Sequence, residues 1–287
     1  MRPTNLRTKI FLDGGDPRAA ADIRGQLGFL DGQTTNPSLI AKNPEVERRL
    51  AANKKFTKEE ILRFYRSVVE AVAALIPEGS VSIEVYADQR TTAREMLDQG
   101  KEMFRWIPNA HIKFPTTTAG LTAAAEAVKE GMRVNLTLCF SLSQAAAVYA
   151  ATLGAAPGQV FVSPFVGRLD DIGENGMELI ANILRLYQAG DGHVAVLTAS
   201  VRNLNHFFYA LQLGSDIITA PFKIIKEWAD GGLLMPGADW RDENGALKPI
   251  PYQELDLGQP WPTFDIEHEL TRKGVDRFAA DWNALLR

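Results

Sequence analysis

Four side chains in this sequence could do chemistry together if strands carried them to one place: Lys113 in AHIKFP, Glu84 in VSIEV, Asp13 in TKIFLD and Thr137 in MRVNLTLC. Successive strand side chains alternate faces, so His111 and Lys113 point one way while Ile112 and Phe114 point the other. By the same rule Glu84 opposes Ile83 and Val85, which sets a carboxylate where a purely structural strand would hold a hydrophobe. A lysine shut away from water favours its neutral amine, and a neutral amine attacks a carbonyl to form a Schiff base. Each residue alone has a plainer reading. A lysine near a strand end can snorkel to solvent, an aspartate can cap a helix, and a threonine can satisfy backbone. Those readings do not explain why an acid and an amine point into the same interior.

The elements around these residues say how they are positioned. Residues 110–115 read as a strand stopped by Pro115, the threonines after it offer helix caps, and an alanine- and leucine-rich helix follows over 119–129. The same strand, loop and helix rhythm runs along the chain. Strands are expected at 8–13, 28–35, 81–85, 110–115, 132–139, 159–166, 193–200 and 216–219. Helices are expected at 17–27, 56–75, 91–100, 119–129, 141–153, 177–188 and 203–213, with Ser38 as a candidate cap for the turn after Asn36 and Pro37. Strands joined by helical crossovers run parallel, so the expected fold is an α/β class, eight-stranded β/α barrel over about 8–229. Asp13, Asn36, Glu84, Lys113, Thr137, Ser163, Arg168, Ser200 and Arg202 then fall at or just after the C-terminal ends of strands, where barrels of this kind build their sites. In the strand expected at 193–200 the alternation sets Thr198 and Ser200 together. Residues 230–262, rich in glycine and proline, read as an excursion from a single domain, and 263–287 as a C-terminal helical extension with Phe278, Trp282 and Leu285 on one side, packed on the barrel or on a partner subunit.

Composition narrows the partners. The 287 residues are 46% hydrophobic and carry a net charge of -4, so nothing global draws the chain to nucleic acid or an anionic membrane, and an anionic ligand must be met by local basic groups. A small-molecule partner is expected. No apolar run approaches the roughly 18 residues that span a bilayer, the start MRPTNLRTKIFLDGG lacks a signal-peptide core, and Cys139 has no second cysteine to pair with, so a cytoplasmic protein is expected. Cys139 lies on the apolar face of its strand and reads as structural. The four histidines lack close metal-ligand spacing, and no GxGxxG or GxxxxGK[ST] loop is present, so neither a metal nor a nucleotide cofactor is expected.

The motifs FLDGG, DGQTTNPSLIAK, VSIEV, HIKFPTTTAGL, RVNLTLCFS, VSPFVGR and TASVRN occur in the order and at the strand positions of the transaldolase family, over residues 9–222. The chain resembles that family through several long motifs at once. The resemblance implies a metal-free, cofactor-free barrel enzyme in which a lysine imine carries a dihydroxyacetone unit between sugar phosphates. It implies that Lys113 forms the imine, that Asp13 is the acid/base at the C4 hydroxyl, and that Glu84 and Thr137 hold a proton-shuttling water. It implies further that Asn36, Asn135 and Ser163 hold the dihydroxyacetone hydroxyls, and that Arg168, Arg202 and Ser200 bind phosphate. Fructose-6-phosphate aldolases share the fold and the lysine, but usually carry an amide at the water-holding position and a tyrosine where this chain has Phe165. Glu84 and Phe165 therefore favour transfer over release. Other readings are a transaldolase for a variant ketose and a non-catalytic sugar-phosphate-binding barrel, against which the intact lysine, aspartate, glutamate and threonine count. A homo-oligomer is expected.

Overall fold

The computed structural model describes residues 2–237, 239–241 and 246–287. Eight parallel strands close into a barrel in sequence order: β1 (Lys9–Asp13), β2 (Gly32–Thr34), β3 (Ser80–Glu84), β4 (Ala110–Pro115), β5 (Val134–Cys139), β6 (Val160–Pro164), β7 (Val194–Thr198) and β8 (Ile217–Ala220). The β/α barrel expected from the strand and helix rhythm is the fold that forms. Around it run α1 (Pro17–Leu27), α2 (Pro37–Ala41), α3 (Pro44–Ala51), α4 (Lys58–Leu75), α5 (Ala93–Phe104), α6 (Thr118–Lys129) and α7 (Leu142–Ala151). They are followed by α8 (Val166–Asp170), α9 (Gly176–Tyr187), α10 (Leu204–Leu213), α11 (Phe222–Asp230) and α12 (Glu269–Asn283).

Local chemistry starts these helices. Thr57 and Thr92 each accept from a backbone N–H three residues on, and Glu60 and Glu95 return the bond, so α4 and α5 begin with full capping boxes. Asn36, not Ser38, caps α2 by accepting from the Leu39 N–H at 2.9 Å; Ser38 lies inside that helix and donates to Asp281 of α12. Four helices, α2, α3, α8 and α11, were not among those expected from sequence, because none is long enough to show a sustained apolar stripe. β2 is also shorter than the 28–35 expected, since Gly28 takes φ +77° to end α1 and 29–31 is chain outside the strand.

The barrel interior is layered by the two-residue alternation of its strands. At the floor the His111 ring stacks on Phe161 at 4.0 Å, with Phe11 edge-on to Phe161. His111 is held on both nitrogens, by Ser80 Oγ at 2.7 Å and the Gly158 carbonyl at 3.0 Å, and burial drives its pKa down to about 3, so it is a neutral plug. Two residues further along each strand come Asp13, Ser82, Lys113 and Ser163, and the interior turns polar. Two non-glycine residues break the alternation. Leu138 at φ +59° sits where the register between β5 and β6 shifts, and Ser200 at φ +60° follows β7. Because of the second, Thr198 and Ser200 do not face the same way: Thr198 bonds Ser215, and Ser200 turns toward the barrel mouth.

The segment after α11 packs along the outside, on α9 and α10. Ile250 N–H donates to Glu178 Oε2, Asn182 Nδ2 donates to the Ile250 carbonyl, Arg185 lies over Tyr252 and Trp240 contacts Tyr209. The expected excursion at 230–262 is thus ordered in its described residues; 238 and 242–245 lie outside them. The helix expected at the C-terminus is α12, which crosses the barrel mouth and packs on α2 and the end of β5. No helix among the described residues is long and apolar enough to cross a membrane.

Gly120 shows how tightly a helix sits on its strand. A Cβ there would lie 1.9 Å from the Pro115 carbonyl oxygen, which is backbone and cannot rotate away. Gly120→Ala is expected to destabilise the fold by about 2–4 kcal/mol, lowering the thermal midpoint by several degrees in a melting experiment. An unchanged midpoint would show that α6 can slide.

Candidate active site

Lys113 enters the barrel from the middle of β4, where it pairs in register with Glu84 of β3 and Asn135 of β5. Its Nζ lies 2.8 Å from Glu84 Oε2 and donates to the Thr35 carbonyl at 3.1 Å, with lysine and glutamate side chains only 3% and 4% exposed. The Lys113–Glu84 contact is a buried charge pair at hydrogen-bond distance, and a carboxylate oxygen has lone pairs enough to accept a further bond beside it. The buried Thr137 hydroxyl has no partner among the described residues. Asp13, at the end of β1, accepts from Thr34 Oγ1 at 2.7 Å, and Thr34 meets Thr219 at 2.6 Å.

Burial raises the pKa of both carboxyls above the usual carboxylate range. The Lys113 charge opposes that rise at each, and at Glu84 the Arg168 charge also lowers the value while Asp13 raises it. One ammonium therefore serves two acids. A tyrosine in the helix expected at 56–75, where the sequence offers it only as one apolar position among several, fixes the group in space. Tyr65 of α4 accepts from the Glu84 N–H at 2.9 Å and donates to Thr35 Oγ1 at 2.5 Å, and Thr35 in turn donates to the Ser82 carbonyl. Tyr65 thereby locks together the ends of β2 and β3, which carry the two groups that touch the Lys113 amine. Its own burial raises its pKa, so it remains a phenol.

Above these groups opens a cavity of about 630 Å³. Of the eleven residues expected to act, eight line it: Asp13, Asn36, Lys113, Ser163, Phe165, Arg168, Ser200 and Arg202. Glu84, Asn135 and Thr137 lie behind that lining. Glu84 reaches it through Lys113; Asn135 accepts from Ser163 Oγ at 2.6 Å and donates to Ser82 Oγ at 3.1 Å. At the outer end Arg202 bonds Asp171 at 2.9 Å and approaches Ser200 Oγ at 3.4 Å. Cys139 is buried away from the cavity and its thiol is pushed up to about 12, which suits a structural residue.

Sequence reading missed the lining supplied by α2 and α12. Ser38, Leu39 and Lys42 come from α2 and the residue after it; Leu270, Lys273, Arg277 and Phe278 come from α12. Lys273 and Arg277 pair with Glu269 and Asp281 four residues away, the pattern of an ordinary solvated helix face, so their one signal pointed elsewhere. Ile172, 51% exposed, adds an apolar edge to the same opening.

A family model described as transaldolase/fructose-6-phosphate aldolase matches residues 10–287, so the match runs past 222 to include α12. Among curated relatives, a probable transaldolase of Dehalococcoides mccartyi is 40% identical over 240 residues, covering 81% of this chain and 98% of its own. A probable transaldolase of Cereibacter sphaeroides is 40% identical over 237 residues, with 81% and 95% covered. One of Brucella ovis is 34% identical over 276 residues, with 96% of each chain covered.

The shared ammonium makes a stability prediction with a definite sign. In Lys113→Met both buried carboxyls lose the cation that lowers their pKa, so their folded values rise further above the unfolded ones near 4. A raised carboxyl stabilises the fold while protonated and loses that contribution as pH rises through its folded value. Lys113→Met is therefore expected to melt near wild type in mild acid and to fall progressively below it toward pH 9. Parallel wild-type and variant curves of melting point against pH would contradict the pairing.

Proposed function

The chain belongs to the transaldolase/fructose-6-phosphate aldolase family, and from that premise we propose that it moves a dihydroxyacetone unit between sugar phosphates through an imine on Lys113. The donor is sedoheptulose 7-phosphate and the acceptor glyceraldehyde 3-phosphate, with erythrose 4-phosphate and fructose 6-phosphate as products, a step of the pentose phosphate pathway in the cytoplasm. The single observation that carries this reading is the buried Lys113 amine at the base of the cavity, 2.8 Å from Glu84 and under the electrostatic influence of Asp13.

The chemistry balances with these groups. Glu84 takes a proton from the ammonium, and the neutral amine adds to the C2 carbonyl of the donor. Loss of water leaves a protonated imine. Asp13 accepts the C4 hydroxyl proton as the C3–C4 bond breaks; the bonding pair moves into the imine, and erythrose 4-phosphate departs. The enamine on Lys113 then attacks the aldehyde carbon of the acceptor. Asp13 returns its proton to the new alkoxide, and water releases fructose 6-phosphate. A water on Glu84 and Thr137, whose buried oxygens have hydrogen-bonding capacity to spare, carries protons while the imine forms and hydrolyses.

Asn36, Asn135 and Ser163 hold the hydroxyls of the three-carbon unit, and Arg168, Arg202 and Ser200 grip the phosphate. Phe165 offers a ring at the position where the aldolases carry a tyrosine hydroxyl. Its packing against Phe140 and Arg168 fits a wall that keeps water from protonating the enamine.

Borohydride added with fructose 6-phosphate should fix a dihydroxyacetone-sized mass on Lys113, and Lys113→Ala should carry none. Absence of the adduct on wild type refutes the imine. Free dihydroxyacetone released faster than it is transferred would make the enzyme an aldolase instead. The acid side of the kcat/KM profile should lie above the ordinary aspartate value near 3.9, because Asp13 must be ionised to accept the proton and burial raises its affinity for it. Asp13→Asn should cut exchange at least ~100-fold, and borohydride should then fix the intact fructose 6-phosphate imine on Lys113 in place of the three-carbon adduct.

A further inference from the structure

Arg168 faces the cavity in an unusual state for a half-buried guanidinium. Among the described residues it has no carboxylate within ion-pair distance and no hydrogen-bond acceptor, whereas Arg202 across the opening is tied to Asp171. What surrounds Arg168 is apolar. Its Cζ lies 5.3 Å from the ring centre of Phe165 on one side and 5.3 Å from that of Phe278 on the other. Phe165 belongs to the barrel; Phe278 belongs to α12.

The third contact is with a glycine. Gly274 lies in the interior of α12, one turn before Phe278, with helical backbone on both sides. Nothing in the backbone conformation there calls for glycine, and glycine weakens a helix relative to alanine. The space does call for it. A Cβ at Gly274 would stand 2.8 Å from Arg168 Nη1 and 2.6 Å from Leu138 Cδ2. Both are far ends of flexible side chains, so alanine could be admitted, but only by pushing the guanidinium and Leu138 aside. Leu138 has little freedom of its own, since it sits at φ +59° and its carbonyl accepts from Thr271 Oγ1 of the same helix.

We propose that Gly274 and Phe278 are positioning residues, a notch and a ring on α12 that seat an unpaired Arg168 over the cavity for the phosphate of the substrate. The proposal rests on the reading that the substrate is a sugar phosphate. An arginine held by two ring faces keeps its N–H groups free, and bidentate recognition of phosphate depends on where that planar fork points. Arg277, three residues after Gly274, adds positive charge to the same opening. Burial first, and then repulsion from Arg202 and Arg277, disfavours the Arg168 cation, while Glu84 favours it. An incoming dianion relieves that repulsion.

Gly274→Ala separates this role from a merely structural one, because crowding of Leu138 alone would lower the melting point and leave phosphate recognition by the folded enzyme unchanged. The expected result is a KM for fructose 6-phosphate raised at least fivefold, kcat within twofold, and an unchanged rate of borohydride trapping with unphosphorylated dihydroxyacetone. Phe278→Leu, which keeps an aliphatic contact and removes the ring, should move KM in the same direction. Inorganic phosphate, titrated by calorimetry, should bind both variants at least fivefold more weakly than wild type. Unchanged phosphate affinity in both, or equal losses with phosphorylated and unphosphorylated donors, would overturn the proposal. A wild type that forms no adduct but binds phosphate in a Gly274-dependent way would refute the sugar-transfer reading and leave the seat standing.

Discussion

An ammonium enclosed in a protein must be compensated, and here two carboxylates compensate it. At an effective dielectric of about 20, opposite charges 2.8 Å apart attract by roughly 6 kcal/mol, while desolvating each ion costs several kcal/mol. The Lys113–Glu84 pair therefore contributes little to stability on balance. Its presence makes sense as chemistry: in a space almost closed to water, burial raises the proton affinity of Glu84 and Asp13 and the Lys113 charge opposes that rise at both. The barrel supplies the geometry this needs. Glu84 and Lys113 are register partners on neighbouring parallel strands, and Tyr65 holds the end of β3 to Thr35, whose carbonyl accepts from the amine.

The outer cavity obeys a different electrostatic rule. A chain of net charge -4 collects Lys42, Arg168, Arg202, Lys273 and Arg277 around one opening, with Asp13 and Asp171 as the carboxylates of the same lining. The positive charge is local in an otherwise acidic chain, and a cluster of that sign attracts anions to the mouth. Three of those cations come from the C-cap of α2 and from α12, so the helix that closes the barrel also supplies charge.

The core of this arrangement was legible because a barrel strand obeys a strict period of two. Polar residues in phase with Lys113 on β4, with Glu84 on β3 and with Asp13 on β1 had to share an interior once the strands closed. The failures have equally specific causes. Thr198 and Ser200 part company because Ser200 has a left-handed backbone, which a count of alternations cannot see. Ser38 was taken for a cap because the short helix α2 gives no periodic signal, and Asn36 does the capping. Tyr65 looked like one more member of an apolar stripe; its hydroxyl matters only once α4 lies beside β3. Lys273 and Arg277 carry the pattern of a solvated face, and only the path of α12 across the mouth reveals them.

These two regions differ in how freely they can change. Around Lys113, apart from the spare capacity of Glu84 and Thr137, the polar groups are tied in chains: Thr34 joins Asp13 to Thr219, Asn135 joins Ser163 to Ser82, and Tyr65 joins Thr35 to the backbone of Glu84. Replacing one member leaves another buried and unsatisfied, which typically costs about 1–3 kcal/mol, so the network tolerates little variation. At the rim the ion pairs of Lys273, Arg277 and Arg202 are exposed, worth about 0–1 kcal/mol each, and can be remade. On the proposed sugar-transfer reading, reaction type resides in the rigid interior, and substrate length and charge are met by side chains that can alter without disturbing it. Gly274 joins the two regimes. It lies in the interior of α12, where alanine would make the better helix, and the local rule yields there to the space that Arg168 and Leu138 occupy.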